Sequence, residues 1–364
     1  MTDRILVPGD TVGILGGGQL ARMLALAAAA FGLRTHIYAP RGDNPAFDVA
    51  AAHTEGAYED AAALARFAGA VAVVTYEFEN VPAETVAAIE PHCPVRPNGR
   101  ALAVTQDRLH EKTFLRDLRL ATAPFRAVDD AAGLARAVAD LGRPSILKTR
   151  RFGYDGKGQV TIRDGTDLAA AWDGLGRPSI LEGFVPFRRE VSVVAARGLD
   201  GGFRAFDLCE NRHKDGILDT TVVPATVAPG TAAAAVDMTR RVAEALGYVG
   251  VLAVEMFVVP APDGGEALVV NEIAPRVHNS GHWTGDGSVT SQFAQHIRAV
   301  CGWPLGDTAR FGAVRMQNLI GDDADAWAAH LGTPGACLHL YGKAAARPGR
   351  KMGHVTTVTL PDPQ

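Results

Sequence analysis

The chain has 364 residues, of which 47% are hydrophobic and 21% charged, and its formal net charge is −4. That length exceeds one ordinary core and predicts two or three domains, while the mildly acidic balance argues against a nucleic-acid surface. The N-terminus has no signal-peptide layout, and the longest apolar stretch, residues 23–33, is too short to cross a bilayer, so a cytoplasmic protein without a membrane partner is expected.

Residues 11–90 alternate strand and helix signals: strand at 11–15, turn at 16–20, helix at 21–31, strand at 35–38, helix at 61–67 and strand at 70–75. This rhythm predicts a parallel sheet with helices on its faces. Gly16-x-Gly18-x-x-Ala21 fits a dinucleotide fingerprint loosely, but the second strand ends Tyr38-Ala-Pro-Arg41 without the acidic residue a ribose requires. A helix N-terminus facing an anion, or a plain β-α turn, accounts for it better. Cys93, Cys209, Cys301 and Cys337 are scattered without metal-ligand spacing and read as reduced thiols.

Pro91-His-Cys-Pro-Val-Arg-Pro97 marks the first boundary. Beyond it a helix is predicted over 101–118, a linker at 121–124 and a second helix over 131–141. Strands at 145–148 and 159–163 then flank Gly153-Tyr154-Asp155-Gly156-Lys157-Gly158-Gln159. Glycine tolerates the backbone angles that let bare N–H groups approach phosphate oxygens, and Lys148 and Lys157 add charge. The chain has six lysines among 36 basic residues, so two beside one loop are conspicuous. The segment reads as a lid over nucleotide phosphates, with a Gly/Asp hairpin as the plain alternative.

A helix at 167–175 and a strand at 179–185 follow. Glu182-Gly183-Phe184-Val185 leads an acidic residue into backbone that can read an adenine edge, and Glu190 can accept from ribose hydroxyls. Farther on, apolar strands at 251–259 and 267–274 carry Glu255 and Glu272, with a turn centred near Asp263-Gly264. A hairpin makes the two glutamates direct partners, their Cβ atoms about 5 Å apart. Two ionised carboxylates in apolar surroundings need a partner, and all-oxygen ligation suits Mg²⁺ or Mn²⁺ shared with substrate phosphates. Arg276-Val-His278-Asn279-Ser280-Gly281-His282 follows as an anion or acid–base loop. His278 and His282 have zinc-like spacing, but Ser280-Gly281 between them disfavours the helix such a site uses.

In order and spacing, Lys148, the 153–159 loop, Glu182 to Val185, Glu190, Glu255 and Asn271-Glu272 resemble the ATP-grasp superfamily. Gly17-Gly-Gln-Leu-Ala-Arg-Met23, residues 271–284 and Arg347-Pro-Gly-Arg-Lys-Met-Gly-His354 resemble the N5-carboxyaminoimidazole ribonucleotide synthetase family within it. Thr75-x-Glu77-x-Glu79 and Asn211-x-His213-x-Asp215 fit as well, and Ala21 departs from the family's usual glycine. The resemblance implies an α/β and α+β architecture: a Rossmann-like domain over 1–105, an ATP-grasp domain over 106–300 with its lid at about 120–185, and a C-terminal domain over 301–364. It implies ATP-dependent, biotin-free carboxylation of 5-aminoimidazole ribonucleotide by bicarbonate in purine biosynthesis, in a homodimer.

The same resemblance gives the ATP contacts as Arg108, Lys148, Gly153 to Gln159, Glu182 to Val185, Glu190, His213, Asn271 and Glu272, with metal on Glu255 and Glu272. Arg276, His278 and Asn279 would hold bicarbonate. Lys343 and Arg350 would grip the ribonucleotide phosphate, with Glu77, Tyr154, Asp155, Lys157, Arg276 and Ser280 also on the substrate side. Two other readings stay open here: a formate-dependent or amino-acid-using carboxylate–amine ligase, and an oxidoreductase built on the Gly16 turn.

Overall fold

The structure is a computed structural model describing residues 4–153 and 156–360. The first four strands form a parallel sheet in the order Ala52–Glu55, Arg34–Ala39, Thr11–Leu15, Val73–Tyr76. Helix Ala61–Gly69 begins where the sequence supplies a cap: Asp60 accepts from Ala63 N at 2.9 Å. The helix Gln19–Ala30 starts two residues earlier than its apolar run suggests, because Gly18 serves as N-cap. The proline-rich boundary bridges Val74 through Val95, so it finishes this sheet rather than merely leaving it.

Residues 101–118 form two helices, Gly99–Thr105 and Arg108–Asp117. The break falls at Asp107, whose carboxylate accepts from Leu109 N at 2.9 Å and so caps the second helix. The same carboxylate accepts three bonds from Arg150, two from Nε and one from Nη2, the shortest at 2.7 Å. One aspartate therefore starts the helix and ties it to the strand before the glycine loop.

A second, antiparallel sheet of four strands runs Phe125–Val128, Ser179–Gly183, Ser145–Thr149, Gln159–Ile162. Helices Ala131–Leu141 and Leu168–Leu175 close it, and it has an apolar core of its own around Leu134, Leu147 and Leu181. Among the described residues the largest sheet has nine strands. It runs Glu266–Ala274, Gly250–Pro260, Arg189–Arg197, Cys209–Lys214, Ile217–Val223, Ala313–Ile320, Lys351–Thr359, Ala336–Leu340, with Phe203–Ala205 branching from Arg189–Arg197. The C-terminal strands thus extend the central sheet through the Ile217–Val223 to Ala313–Ile320 pairing. Among the described residues no helix is long and apolar enough to cross a membrane.

Candidate active site

The glycine loop springs from a closed antiparallel ladder whose last pair is Lys148 with Gln159. Thr149 N donates to Gly158 O at 2.8 Å and pulls the loop shut at its base. Gly156 and Gly158 have φ of +75° and +71°, where L side chains are strained. A Cβ on Gly158 would also meet Thr149 Oγ1 at 2.7 Å. Arg108 braces the loop from outside, donating to Thr149 O at 3.2 Å and Gly153 O at 3.0 Å. Tyr154 and Asp155 lie outside the described residues.

Lys148 Nζ is 2.9 Å from Glu182 Oε2, and Lys112 Nζ is 3.7 Å from the same oxygen. Burial works against the Glu182 charge, but Lys112 and Lys148 hold its carboxyl below the usual range. Among the described residues Glu182 Oε1 has no hydrogen-bond partner, which leaves a buried acceptor that a ligand N–H would satisfy. The backbone N–H groups of Gly183 and Phe184 are taken by Pro124 and Pro144 carbonyls at 2.8 and 3.3 Å.

Glu255 and Glu272 are direct cross-strand partners. Burial, and then the facing Glu272, push the Glu255 carboxyl up from its ordinary range. Opposed carboxylates sheltered from water form a donor set that a hard divalent cation fits. His278 Nε2 lies 3.2 Å from Glu255 Oε1. Burial and the nearby Arg276 keep this ring neutral. Ser280 N donates to His278 Nδ1 at 3.3 Å, which assigns the proton of the neutral ring to Nε2, on the Glu255 side. Arg276 ion-pairs with Glu79 of the first sheet's rim, one contact being 3.2 Å from Nη2 to Oε1. Asn279 exchanges two amide bonds with Asn318, at 2.9 and 2.7 Å. His213 Nδ1 lies 2.9 Å from Glu190 Oε2; burial opposes its charge, yet the Glu190 contact raises it above an ordinary imidazole.

Ser280, a substrate-side candidate, is fully buried and bonds Ser192 Oγ at 2.7 Å, so it buttresses His278. The anion at the N-terminus of helix Gln19–Ala30 is the chain's own Glu77, which accepts from Gly18 N and, at 2.9 Å, from Ala21 N. A dinucleotide pyrophosphate would need that position, and a Cβ on Gly16 or Gly18 would strike the Glu77 carboxylate. The zinc spacing of His278 and His282 is not used as such: their Nδ1 atoms face Ser280 and Gln292.

Lys343 donates to Lys351 O at 2.6 Å, and Arg350 pairs with Asp43 at 2.6 Å, joining the C-terminal strands to the first domain. Burial, then Arg350, depress the Lys343 ammonium to about 8, with Glu77 acting the other way.

Several contributors were invisible to motif reading. Gln292 grips the His278 backbone on both sides, accepting from its N at 2.9 Å and donating to its O at 2.7 Å. Asn318 orients Asn279 from another strand. Glu111 and Lys112 sit one turn past Arg108, fully within reach of the Glu272 strand. Only the charge of adjacent Glu-Lys inside a helix with a buried face hinted at them.

Models of three families match successive stretches: a ribonucleotide synthetase preATP-grasp domain over 10–106, an ATP-grasp domain over 113–293, and a phosphoribosylaminoimidazole carboxylase C-terminal domain over 315–362. The chain is 52% identical to an N5-carboxyaminoimidazole ribonucleotide synthase of Brucella melitensis, covering 97% of each. It superposes on an ADP complex of an N5-carboxyaminoimidazole ribonucleotide synthetase with a TM-score of 0.93 at 41% identity, covering 99% of this chain and 94% of that one. A homologue from Aspergillus clavatus, solved with ADP and 5-aminoimidazole ribonucleotide, superposes at 0.89 and 30% identity over 97% and 94%.

Proposed function

The chain belongs to the N5-carboxyaminoimidazole ribonucleotide synthase family of ATP-grasp ligases, and from that premise we propose how its own residues carry the reaction. ATP, bicarbonate and 5-aminoimidazole ribonucleotide give N5-carboxyaminoimidazole ribonucleotide, ADP and phosphate. Bicarbonate is a weak electrophile; transfer of the γ-phosphoryl group makes carboxyphosphate, whose carbon the exocyclic amine can attack as phosphate leaves. Such transfer depends on positioning and charge neutralisation rather than on a covalent protein nucleophile.

The observation that carries this reading is the opposed Glu255–Glu272 pair with His278 on one carboxylate and Arg276, four residues past Glu272 in the chain, held by Glu79. Glu255 and Glu272 would hold Mg²⁺, which would neutralise charge on the transferring phosphoryl group. Lys148 and the glycine loop, with Arg108, Lys157 and Asn271, take the triphosphate. Glu182 to Val185 take adenine, and Glu190 with His213 takes the ribose. Arg276, His278 and Asn279 orient bicarbonate. Lys343 and Arg350 bind the ribonucleotide phosphate, and Glu77 faces its amine. We further infer a cytoplasmic homodimer. Its domains would run 1–105, 106–300 and 301–364.

ADP formation should require bicarbonate and the aminoimidazole ribonucleotide together for full turnover, without biotin. Equal turnover with formate in place of bicarbonate would overturn the assignment in favour of a formate-using ligase.

A further inference from the structure

The Glu266–Ala274 strand is the margin of the nine-stranded sheet and has a strand neighbour on one side only. A margin strand carries unpaired backbone groups along its free side, and each such group buried without a partner is destabilising. Here the free side is closed by other elements. Val270 N donates to Ala121 O at 2.7 Å. The carbonyls of Val270 and Asn271 accept from Lys112 Nζ at 3.4 and 2.6 Å. Ile273 N donates to Glu111 Oε1 at 2.7 Å. Lys112 is 1% exposed and Glu111 3%, so these charges are placed inside the protein for this contact.

Those bonds bracket a β-bulge. The ladder runs regularly from Pro260 with Glu266 to Met256 with Val270, yet the next pair is Glu255 with Glu272. Asn271 is the extra residue. Residues two apart share a face in an unbroken strand, but Val270 faces Met256 and Glu272 faces Glu255, on opposite sides. Without the bulge Glu255 would oppose Asn271, and Glu272 would turn toward the apolar face that holds Met256 and Val270.

We propose that Glu111 and Lys112 are positioning residues that clamp this bulge, and thereby fix the register that makes Glu255 and Glu272 a metal-binding pair. The proposal rests on the metal reading given above. Consecutive helix residues project about 100° apart, which lets one helix reach both sides of the bulge. An ammonium brings three donors, and Lys112 has the two carbonyls and Glu182 within 3.7 Å to receive them. A carboxylate on the next position accepts the displaced amide. The clamp also joins the bulge to the Lys148–Glu182 pair on the nucleotide side.

The test is Mn²⁺ binding in the presence of ADP, read from the electron paramagnetic resonance of free Mn²⁺, beside hydrogen exchange of residues 268–276. Glu111→Leu and Lys112→Met should each raise the Mn²⁺ Kd by about tenfold or more, the scale for residues that orient ligands. Glu111→Gln keeps an oxygen for Ile273 N–H and should stay within about threefold, by the same scale. Exchange at Ile273 should quicken in the Leu and Met variants and not in Gln. Loss of Mn²⁺ in Glu111→Gln would make Glu111 a charge-bearing ligand instead and overturn the clamp; so would unchanged Mn²⁺ binding in all three. If the Leu and Met variants do not fold, the truncations Glu111→Ala and Lys112→Ala take their place under the same criterion. A parent protein that binds no Mn²⁺ with ADP would remove the metal reading, while the exchange comparison would still judge the clamp.

Discussion

At the scale of single residues, charge state and partner decide what each group can do. Glu272 opposes Glu255 across the strand pair, so Glu272→Gln should remove one metal ligand while keeping volume and hydrogen-bonding capacity. Turnover should fall by at least about a hundredfold, as expected when metal stabilisation of several kcal/mol is lost, with the melting temperature held; near-normal turnover would remove the metal assignment. Lys343 makes a pH prediction. Its ammonium is depressed to about 8, by burial first and by Arg350 next. Below that pH it carries the charge a phosphate needs; above it the charge is lost. The kcat/KM for the ribonucleotide, which reports the free enzyme, should therefore decline as pH rises through about 8. Between that value and the unfolded lysine range the native state binds fewer protons than the unfolded one, so this group's share of stability rises with pH. The decline is then a binding effect and not unfolding. Lys343→Arg, charged throughout, should flatten the profile; a profile unchanged from the parent would place the titrating group elsewhere.

At the scale of elements, the glycine hairpin was legible because residue type and strand signals agreed: Lys148 pairs with Gln159 as the alternation implies. The glutamate hairpin was legible in outcome and not in route. Symmetry about Asp263-Gly264 predicted Glu255 opposite Glu272, yet the turn-proximal ladder is centred half a residue earlier and only the bulge at Asn271 restores that pair. A bulge is held by contacts from a helix some 160 positions upstream in sequence, Glu111 to Ile273 among them, and no local pattern encodes it. The break at Asp107 is hidden for a related reason, since an apolar period continues across a capping residue. Long-range partners such as Gln292 and Asn318 leave no spacing signal at all. The lid yields a prediction of its own. Gly158→Ala meets both a positive φ and the 2.7 Å contact with Thr149 Oγ1, whereas Gly165, with φ of +78°, has open space around it. Backbone strain is similar at the two sites, about 1–2 kcal/mol. Gly158→Ala should lower kcat/KM for ATP by roughly tenfold, the equivalent of 1.4 kcal/mol; Gly165→Ala should not, and equal effects would mean that strain alone, not loop shape, is being read.

At the scale of the whole molecule, the three sheets do not stand as equal bodies. One apolar core runs from Val12, Ile14 and Leu24 of the first domain through Val194, Val251 and Ile297 to Val314 and Met316 of the C-terminal strands. The lid sheet has its separate core and is tied on by ionic contacts such as Arg150–Asp107 and Lys112–Glu182. That division suits a rigid base carrying a lid that closes over substrates and keeps water from carboxyphosphate. His296 sits at the seam of the base. Its Nε2 meets Thr75 Oγ1 at 2.7 Å and its Nδ1 accepts from Val251 N at 3.0 Å. Burial drives its pKa down to about 3, so it stays neutral and bridges the first sheet to the central one at any ordinary pH. His296→Leu would leave Thr75 Oγ1 and Val251 N without that partner, at a cost of roughly 2–4 kcal/mol. Because the core is continuous across the seam, the calorimetric transition of the base should move down as one, by several degrees, with both substrate KM values unchanged. Resolution of that transition into separate peaks for the first domain and the central sheet would show that His296, and not the shared core, makes them one cooperative body.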